Sequence, residues 1–225
     1  MWGNLVNAID IIIGGAAGTL FNRSLPERFH TIVFQCMGLF VGVLGVSLAL
    51  KMEKIVLCIL SLLIGGLLGE LLQLDAQMVK LGNWVKQRLK LKSKRFTEGF
   101  VASSLLYCVG AMAILGAIEE GTGNYPSILL TKSVMDGFSA IALSSAMGIG
   151  VAFSAFPVFI YQGAITLLAF LFGNLLDEGI IREISAIGGI MLVGLGINLL
   201  DIKQLKVVNL LPSLIIICLL WYVFA

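Results

Sequence analysis

Lys132 and Asp136 stand four residues apart in TKSVMDG (131–137). That spacing puts an ammonium and a carboxylate on one face of a helix, where they can pair. Downstream, Ser144, Ser145 and Ser154 punctuate a run of Gly and Ala, and Tyr161 and Gln162 follow Pro157. Charges, hydroxyls and an amide inside an apolar stretch are the materials of a solute or ion path through a membrane, where broken helices offer backbone groups for binding. The competing reading is a tightly packed central helix without a ligand. Asp10 is a second carboxylate in an apolar run, one turn after Asn7 and on the same face. A charge at a helix centre costs about 2.5–3.5 kcal/mol on insertion scales, so it needs a partner or a cavity. For Asp10 a bond to a neighbouring helix and a place in an ion or proton path are both open. Glu70 lies near the end of its run, within snorkelling reach of the interface. Gln35, Asn174 and Asn198 suit bonds between helices.

Catalysis is not expected. His30 is the sole histidine, and the four cysteines (Cys36, Cys58, Cys108, Cys218) lie singly in apolar runs without CxxC spacing, so neither a metal site nor a disulfide framework is indicated. A serine/lysine hydrolase needs a base beside a buried serine; Lys132 next to Ser133, at the edge of its run, is a poor version of that arrangement. The glycines 14, 15 and 18 do not form a dinucleotide fingerprint, since no strand precedes them. No cofactor is expected.

The elements that carry these residues follow from composition. The chain has 225 residues, 59% hydrophobic and 12% charged, whereas soluble domains are near half apolar and a quarter charged. Apolar runs recur at about 4–21, 31–50, 55–74, 99–118, 133–156, 158–176, 184–200 and 207–225, each close to the length of about 20 residues that spans a bilayer. We expect an all-α, polytopic transmembrane helix bundle of seven or eight spans forming one integral membrane domain over residues 1–225. The first run carries Asp10 and lacks a basic start, which argues against a cleaved signal. A single helix from Ser127 to Phe156 is about 45 Å long at 1.5 Å per residue, too long for one span. We place the break at Asp136-Gly137, with Asp136 capping the second piece, and a further break at Pro157.

If residues 75–98 face the cytoplasm and every run crosses, eleven Lys and Arg lie inside and four outside, in accord with the positive-inside rule, and both termini face out. Within 75–98, Met78, Leu81, Val85 and Leu89 recur at helical steps, with Trp84 beside them and Lys or Arg opposite. That pattern predicts an amphipathic helix in the interface with the bilayer, drawn to anionic lipid by Lys86 to Arg95. Membrane tethering accounts for this basic run without nucleic acid. IGGAAGTLF (13–21) and IGGLLGELL (64–72) share three glycines, LFGNLLDEG (171–179) aligns Gly173 with the last of them, and IGGIMLVGLGINLL (187–200) matches MGLFVGVLGVSLAL (37–50) with Gly189 and Gly196 opposite Gly38 and Gly45. In the topology above these pairs run in opposite senses, which predicts an inverted repeat. The alternative is that glycine-rich membrane helices are alike by composition. The GxxxG spacings at 14/18, 38/42 and 65/69 predict close helix packing.

GNLVNAIDIIIGGAAG (3–18), PERF (26–29), GGLLGELL (65–72), LLYCVGAMAILGAIEEG (105–121), LLTKSVMDGFSAIALSSAMGIGVAFSAFPVFIYQGAITLLA (129–169) and INLLDIKQLKVVNLLPSL (197–214) together resemble the bacterial membrane family known as domain of unknown function 554. The likeness covers nearly the whole chain and implies an integral protein of the bacterial cytoplasmic (inner) membrane; it carries no activity. The family pattern is usually apolar around Asp10, so the resemblance shifts weight to Lys132, Asp136 and the Tyr161-Gln162-Gly163 run. The expected function is a small secondary transporter or permease for a solute or ion, working as a homo-oligomer. Asp136 and Lys132 are expected at its outer mouth, Ser144, Ser145 and Ser154 along the path, and Tyr161 and Gln162 near the cytoplasmic end, with Asn7 and Asp10 of the first run also counted in the path. A passive channel and a non-transporting scaffold acting through the basic interfacial helix are the alternatives.

Overall fold

A bilayer offers backbone groups no partner but each other, so the apolar runs become helices. The computed structural model describes residues 1–22, 27–88, 90, 95–108, 111–172 and 178–224. Every regular element among them is helical: α1 (Trp2–Asn22), α2 (Glu27–Ala49), α3 (Ile55–Leu72), α4 (Leu74–Arg88), α5 (Phe96–Cys108), α6 (Ala111–Gly121), α7 (Ser127–Met147), α8 (Gly150–Phe153), α9 (Ala155–Phe172), α10 (Glu178–Leu199), a 3-10 turn (Val207–Leu210) and α11 (Ser213–Phe224). The protein is all-α and polytopic. Five stretches are long and apolar enough to cross a membrane: Trp2–Leu20, Ile55–Leu72, Gly150–Leu171, Gly179–Leu199 and Val207–Phe224. Among the described residues, Phe96–Cys108 and Met112–Gly121, bent by 62°, reach the length and hydropathy of a span only when taken together. The serines, Lys132 and Asp136 keep α7 off that roll. Arg23, Pro26, Lys92, Lys94, Gly173 and Asn174, which entered the sequence reading, lie outside the described residues.

The break expected at Asp136-Gly137 is not there: α7 runs unbroken from Ser127 to Met147. Asp136 does not cap a new helix, because it pairs with Lys132 one turn back. Gly137 keeps the helix course, and its Cβ position lies at ordinary van der Waals distance from Asp10 of α1. The excess length is resolved eleven residues after Gly137, at Gly148. Gly148 adopts φ +78°, its N–H closing onto the Ser144 carbonyl at 2.8 Å, and that is a region of backbone space glycine enters without strain. The short α8 follows, Ser154 interrupts it from α9, and Pro157 falls in the first turn of α9, where a missing N–H costs nothing.

Helix contacts gather into two compact units. The first holds α1, α5 to α9 and the end of α4 from Leu81. Within it α1 and α7 run side by side in the same direction, and the glycines explain how: a Cβ on Gly14 would strike the Gly137 carbonyl, and one on Gly18 the Ile141 carbonyl and Ser144. The same α1 lies antiparallel to α8 and α9, with Gly15 against Ala152 and Met1 against Gly163. Gly150 of α8 abuts the Phe96 carbonyl of α5. Adjacent carboxylates from the end of α6 hold the two parallel helices at their starts. Glu120 accepts from the Gly3 N–H at 2.7 Å and the Asn4 N–H at 3.4 Å, while Glu119 accepts from the Ile128 N–H at 2.9 Å and the Ser127 hydroxyl at 2.8 Å. Free N–H groups at a helix start are the partners a carboxylate satisfies best.

The second unit holds Cys36–Lys80, with most of α2, α3 and the start of α4, and α10 to α11. There α2 and α10 cross antiparallel through four glycines. Gly38 meets Leu200 and Gly196; Gly189 meets Ala49 and Gly45; Gly196 meets the Gly42 N–H side and Gly45 that of Val193. In the register that equates Gly38 with Gly189 and Gly45 with Gly196, each contact is the other with the helices exchanged. α3 lies antiparallel to the 3-10 turn and α11, Gly65 on Ser213 and Gly69 on the Asn209 carbonyl. Both copies of the IGGxxG pattern therefore serve close backbone approach, as the GxxxG spacing predicted. Glu183 accepts from the N–H groups of Glu53 and Lys54 at 2.9 and 3.0 Å, ahead of α3, and Asn209 accepts from the Asp75 N–H at the start of α4 at 2.7 Å. Glu70 binds Lys206 at 2.6 Å and Asn209 at 2.7 Å. Asn198 closes on the N–H and carbonyl of Leu205 in its own loop, at 2.7 and 2.8 Å. Within the basic interval 75–98, α4 ends at Arg88 and α5 begins at Phe96; Trp84 and Leu81 of α4 are exposed, and Leu89 lies outside the described residues.

Candidate functional site

In the first unit, polar side chains from four apolar helices converge. α1 contributes Asn4 and Asn7, one turn apart on one face; α9 contributes Gln162 and Thr166, also one turn apart. α7 contributes Lys132 and Asp136, and α5 contributes Tyr107. All seven are buried, Asn4, Asn7 and Gln162 completely. Asn7 Nδ2 donates to Gln162 Oε1 at 3.0 Å, and Asn7 is also within hydrogen-bonding reach of the Asp136 carboxylate. Asn4 Nδ2 donates to the Phe159 carbonyl at 2.9 Å. Lys132 is ion-paired to Asp136, and its Nζ stands 5.8 Å from the centre of the Tyr107 ring, a cation–π distance.

The bonds within this cluster do not use it up. Asn4 Oδ1, Asn7 Oδ1, Gln162 Nε2, the Tyr107 hydroxyl and the Thr166 hydroxyl are buried without a partner in the protein. Each such atom costs about 1–3 kcal/mol. Five of them lie in this one unit, and the cost falls in a protein that has apolar alternatives at every position. The arrangement can hold a small polar species, exchanging the Lys132–Asp136 pair for bonds to it. No group of three or more His, Cys, Asp or Glu among the described residues could hold a metal ion.

Lys132, Asp136, Asn7 and Gln162 are thus brought together. Asp10 lies farther along α1, half-buried, with its Cβ 3.4 Å from the position a Gly137 side chain would take. Tyr161 is half-buried beside Gln162. The serines are used differently: Ser144 donates to the Ala140 carbonyl at 2.5 Å, Ser145 to Ala142 at 2.7 Å and Ser154 to Val151 at 2.7 Å, each in its own helical stretch. Back-bonding of this kind hides a hydroxyl and keeps the side chain small. Asn4, Tyr107 and Thr166 escaped the sequence reading. Asn4 and Thr166 carried a usable signal, since each stands one turn from a residue already singled out; Tyr107 carried none. A separate cavity of about 430 Å³ between α1 and α8–α9 is lined by Leu5, Ile9, Ile12, Phe153, Phe156 and others, all apolar, and suits hydrocarbon rather than a solute.

The chain is 34% identical over 220 residues to "Uncharacterized membrane protein YdfK" of Bacillus subtilis (strain 168), covering 96% of this chain and 93% of that protein. It is 32% identical over 219 residues to "Uncharacterized protein YqgA" of Escherichia coli (strain K12), covering 95% and 93%. No solved structure matches. The family model "Protein of unknown function (DUF554)" matches residues 2–222, a stretch that takes in every helix of the polar cluster, and the chain belongs to that family.

Proposed function

We propose that this protein is a secondary transporter of a small solute or ion in the bacterial cytoplasmic membrane, with its site where α1, α5, α7 and α9 meet. One observation carries the reading: a buried cluster that combines an ion pair with five unpartnered polar atoms, two of whose helices, α1 and α9, belong to stretches apolar enough to cross a bilayer. Polar groups are retained at such depth where they meet a transported species. Supporting it, the glycine contacts of α2 and α10 interchange under the register that aligns their sequences, the local pattern expected of two inverted repeats. The helix directions agree as well. A topology with residues 75–98 in the cytoplasm and both termini outside needs α1 parallel to α7 and antiparallel to α9, α2 antiparallel to α10, and α3 antiparallel to α11. No catalytic role is assigned to any residue.

The test is reconstitution in proteoliposomes with flux measured for protons, sodium, potassium and a panel of small polar solutes. Saturable flux lost in Lys132→Met/Asp136→Asn, a charge-balanced double variant, is the expected result. No flux of any kind, or flux indifferent to the double variant, overturns the reading. Unsaturable single-channel currents would make the protein a passive channel instead.

α4 favours an added role at the bilayer surface. Trp84 and Leu81 are exposed, and Lys86 and Arg88 close its last turn, the makeup of a helix lying on anionic lipid. Replacing Lys86 and Arg88 with Gln should weaken a phosphatidylserine or cardiolipin dependence of stability, and leave flux unchanged if α4 only tethers.

A further inference from the structure

We propose that the buried cluster binds a small zwitterion, a molecule with one ammonium and one carboxylate, and that Asp136 and Lys132 are its two charge partners. The inference rests on the transporter reading for the movement of the solute and not for its binding.

Charge balance is the first argument. Lys132 and Asp136 neutralise one another in a site that is largely shut off from solvent. A cation entering there adds charge beside the ammonium, and an anion adds charge beside the carboxylate; each leaves an uncompensated buried ion. A zwitterion adds none. Its ammonium takes Asp136, its carboxylate takes Lys132, and one ion pair becomes two. Because Lys132 and Asp136 sit one helical turn apart on one face of α7, the pair presents both signs side by side.

The unpartnered atoms supply a second, independent argument. Asn4 has committed its Nδ2 to the Phe159 carbonyl, so its Oδ1 is an acceptor that needs a donor. Asn7 and Gln162 spend one amide group each on the other. That leaves Asn7 Oδ1 as an acceptor and Gln162 Nε2 as a donor. The Tyr107 and Thr166 hydroxyls give and take. A bare metal ion wants acceptors only and would leave the amide N–H unmatched; an anion wants donors only and would strand Asn4 Oδ1. An ammonium with its three N–H groups and a carboxylate with its two oxygens use both kinds.

The test uses full-length protein in nanodiscs, titrated with glycine, β-alanine and 4-aminobutyrate, with acetate, methylammonium, NaCl and KCl as comparisons. We expect saturable heat of binding and a raised Tm for at least one zwitterion, and neither for acetate or methylammonium at the same concentrations. Thr166→Val and Tyr107→Phe should each weaken that zwitterion about three- to tenfold, with no fall in the Tm of ligand-free protein, because those hydroxyls have no partner in the fold. Lys132→Met/Asp136→Asn should fold and lose saturable binding. Binding of sodium or potassium without any zwitterion overturns the proposal, as do silence of all three zwitterions and full affinity in the double variant. Zwitterion binding without flux in proteoliposomes would remove the transporter reading and leave this one. Flux of another solute without zwitterion binding would do the reverse.

Discussion

An ammonium and a carboxylate that share a dry site depend on each other, and the loss of either leaves a charge with no solvent. Lys132→Met or Asp136→Asn alone should therefore destabilise the protein by about 3–5 kcal/mol, and the double variant by distinctly less. Unfolding in detergent, followed by circular dichroism, checks the ordering; equal losses in all three would mean that the pair is not buried in solution. Glu120→Gln should act differently, through the start of α1, where weakened acceptance from the Gly3 and Asn4 N–H groups costs about 1 kcal/mol. Part of this site is readable from residues alone. Lys132, Asp136, Asn7 and Gln162 stand out because ionisable and amide groups are expensive in apolar runs. Tyr107 does not, because a tyrosine in a membrane helix has ordinary reasons to be there, and only the fold brings its ring to Lys132.

Glycines set the distances between elements. Gly14→Val places a branched side chain on the Gly137 carbonyl, and Gly45→Val does the same at Gly189. Each should cost about 1–3 kcal/mol, while Gly42→Ala, with open space around its Cβ position, should be neutral or slightly stabilising; thermal unfolding of the three variants decides this. Gly148→Ala should cost about 1–3 kcal/mol through backbone strain alone, given φ +78°. The helices and the glycine seams are legible because apolar length and GxxxG spacing are direct statements of physics. The break in the long fifth run is legible only as a need. Asp-Gly is the stronger local stop signal, yet the Lys132 pair and the α1 seam hold Asp136 and Gly137 in the helix. Gly148, seen in sequence as one more small residue in a stripe, takes the turn because a left-handed backbone is open to it.

At the scale of the molecule, the proposed topology makes a plain demand. In a background with Cys36, Cys58, Cys108 and Cys218 changed to alanine, single cysteines at Lys90 and Ile202 should react with a membrane-impermeant maleimide only after the cytoplasmic side is opened, and one at Gly123 in intact cells. Any other pattern reverses or breaks the topology. The neighbouring carboxylates of Glu119 and Glu120 also have a meaning for biosynthesis. The acceptor for the first turn of α1 lies 117 residues downstream of Gly3, so α1 leaves the ribosome and enters the bilayer long before its partner exists. It waits with open N–H groups through the synthesis of α2 to α5. When α6 arrives it brings both acceptors at once, one for the oldest helix and one for α7, which is the next to be made. The order of translation thus ends the waiting of α1 just as the helix it must lie against begins to emerge.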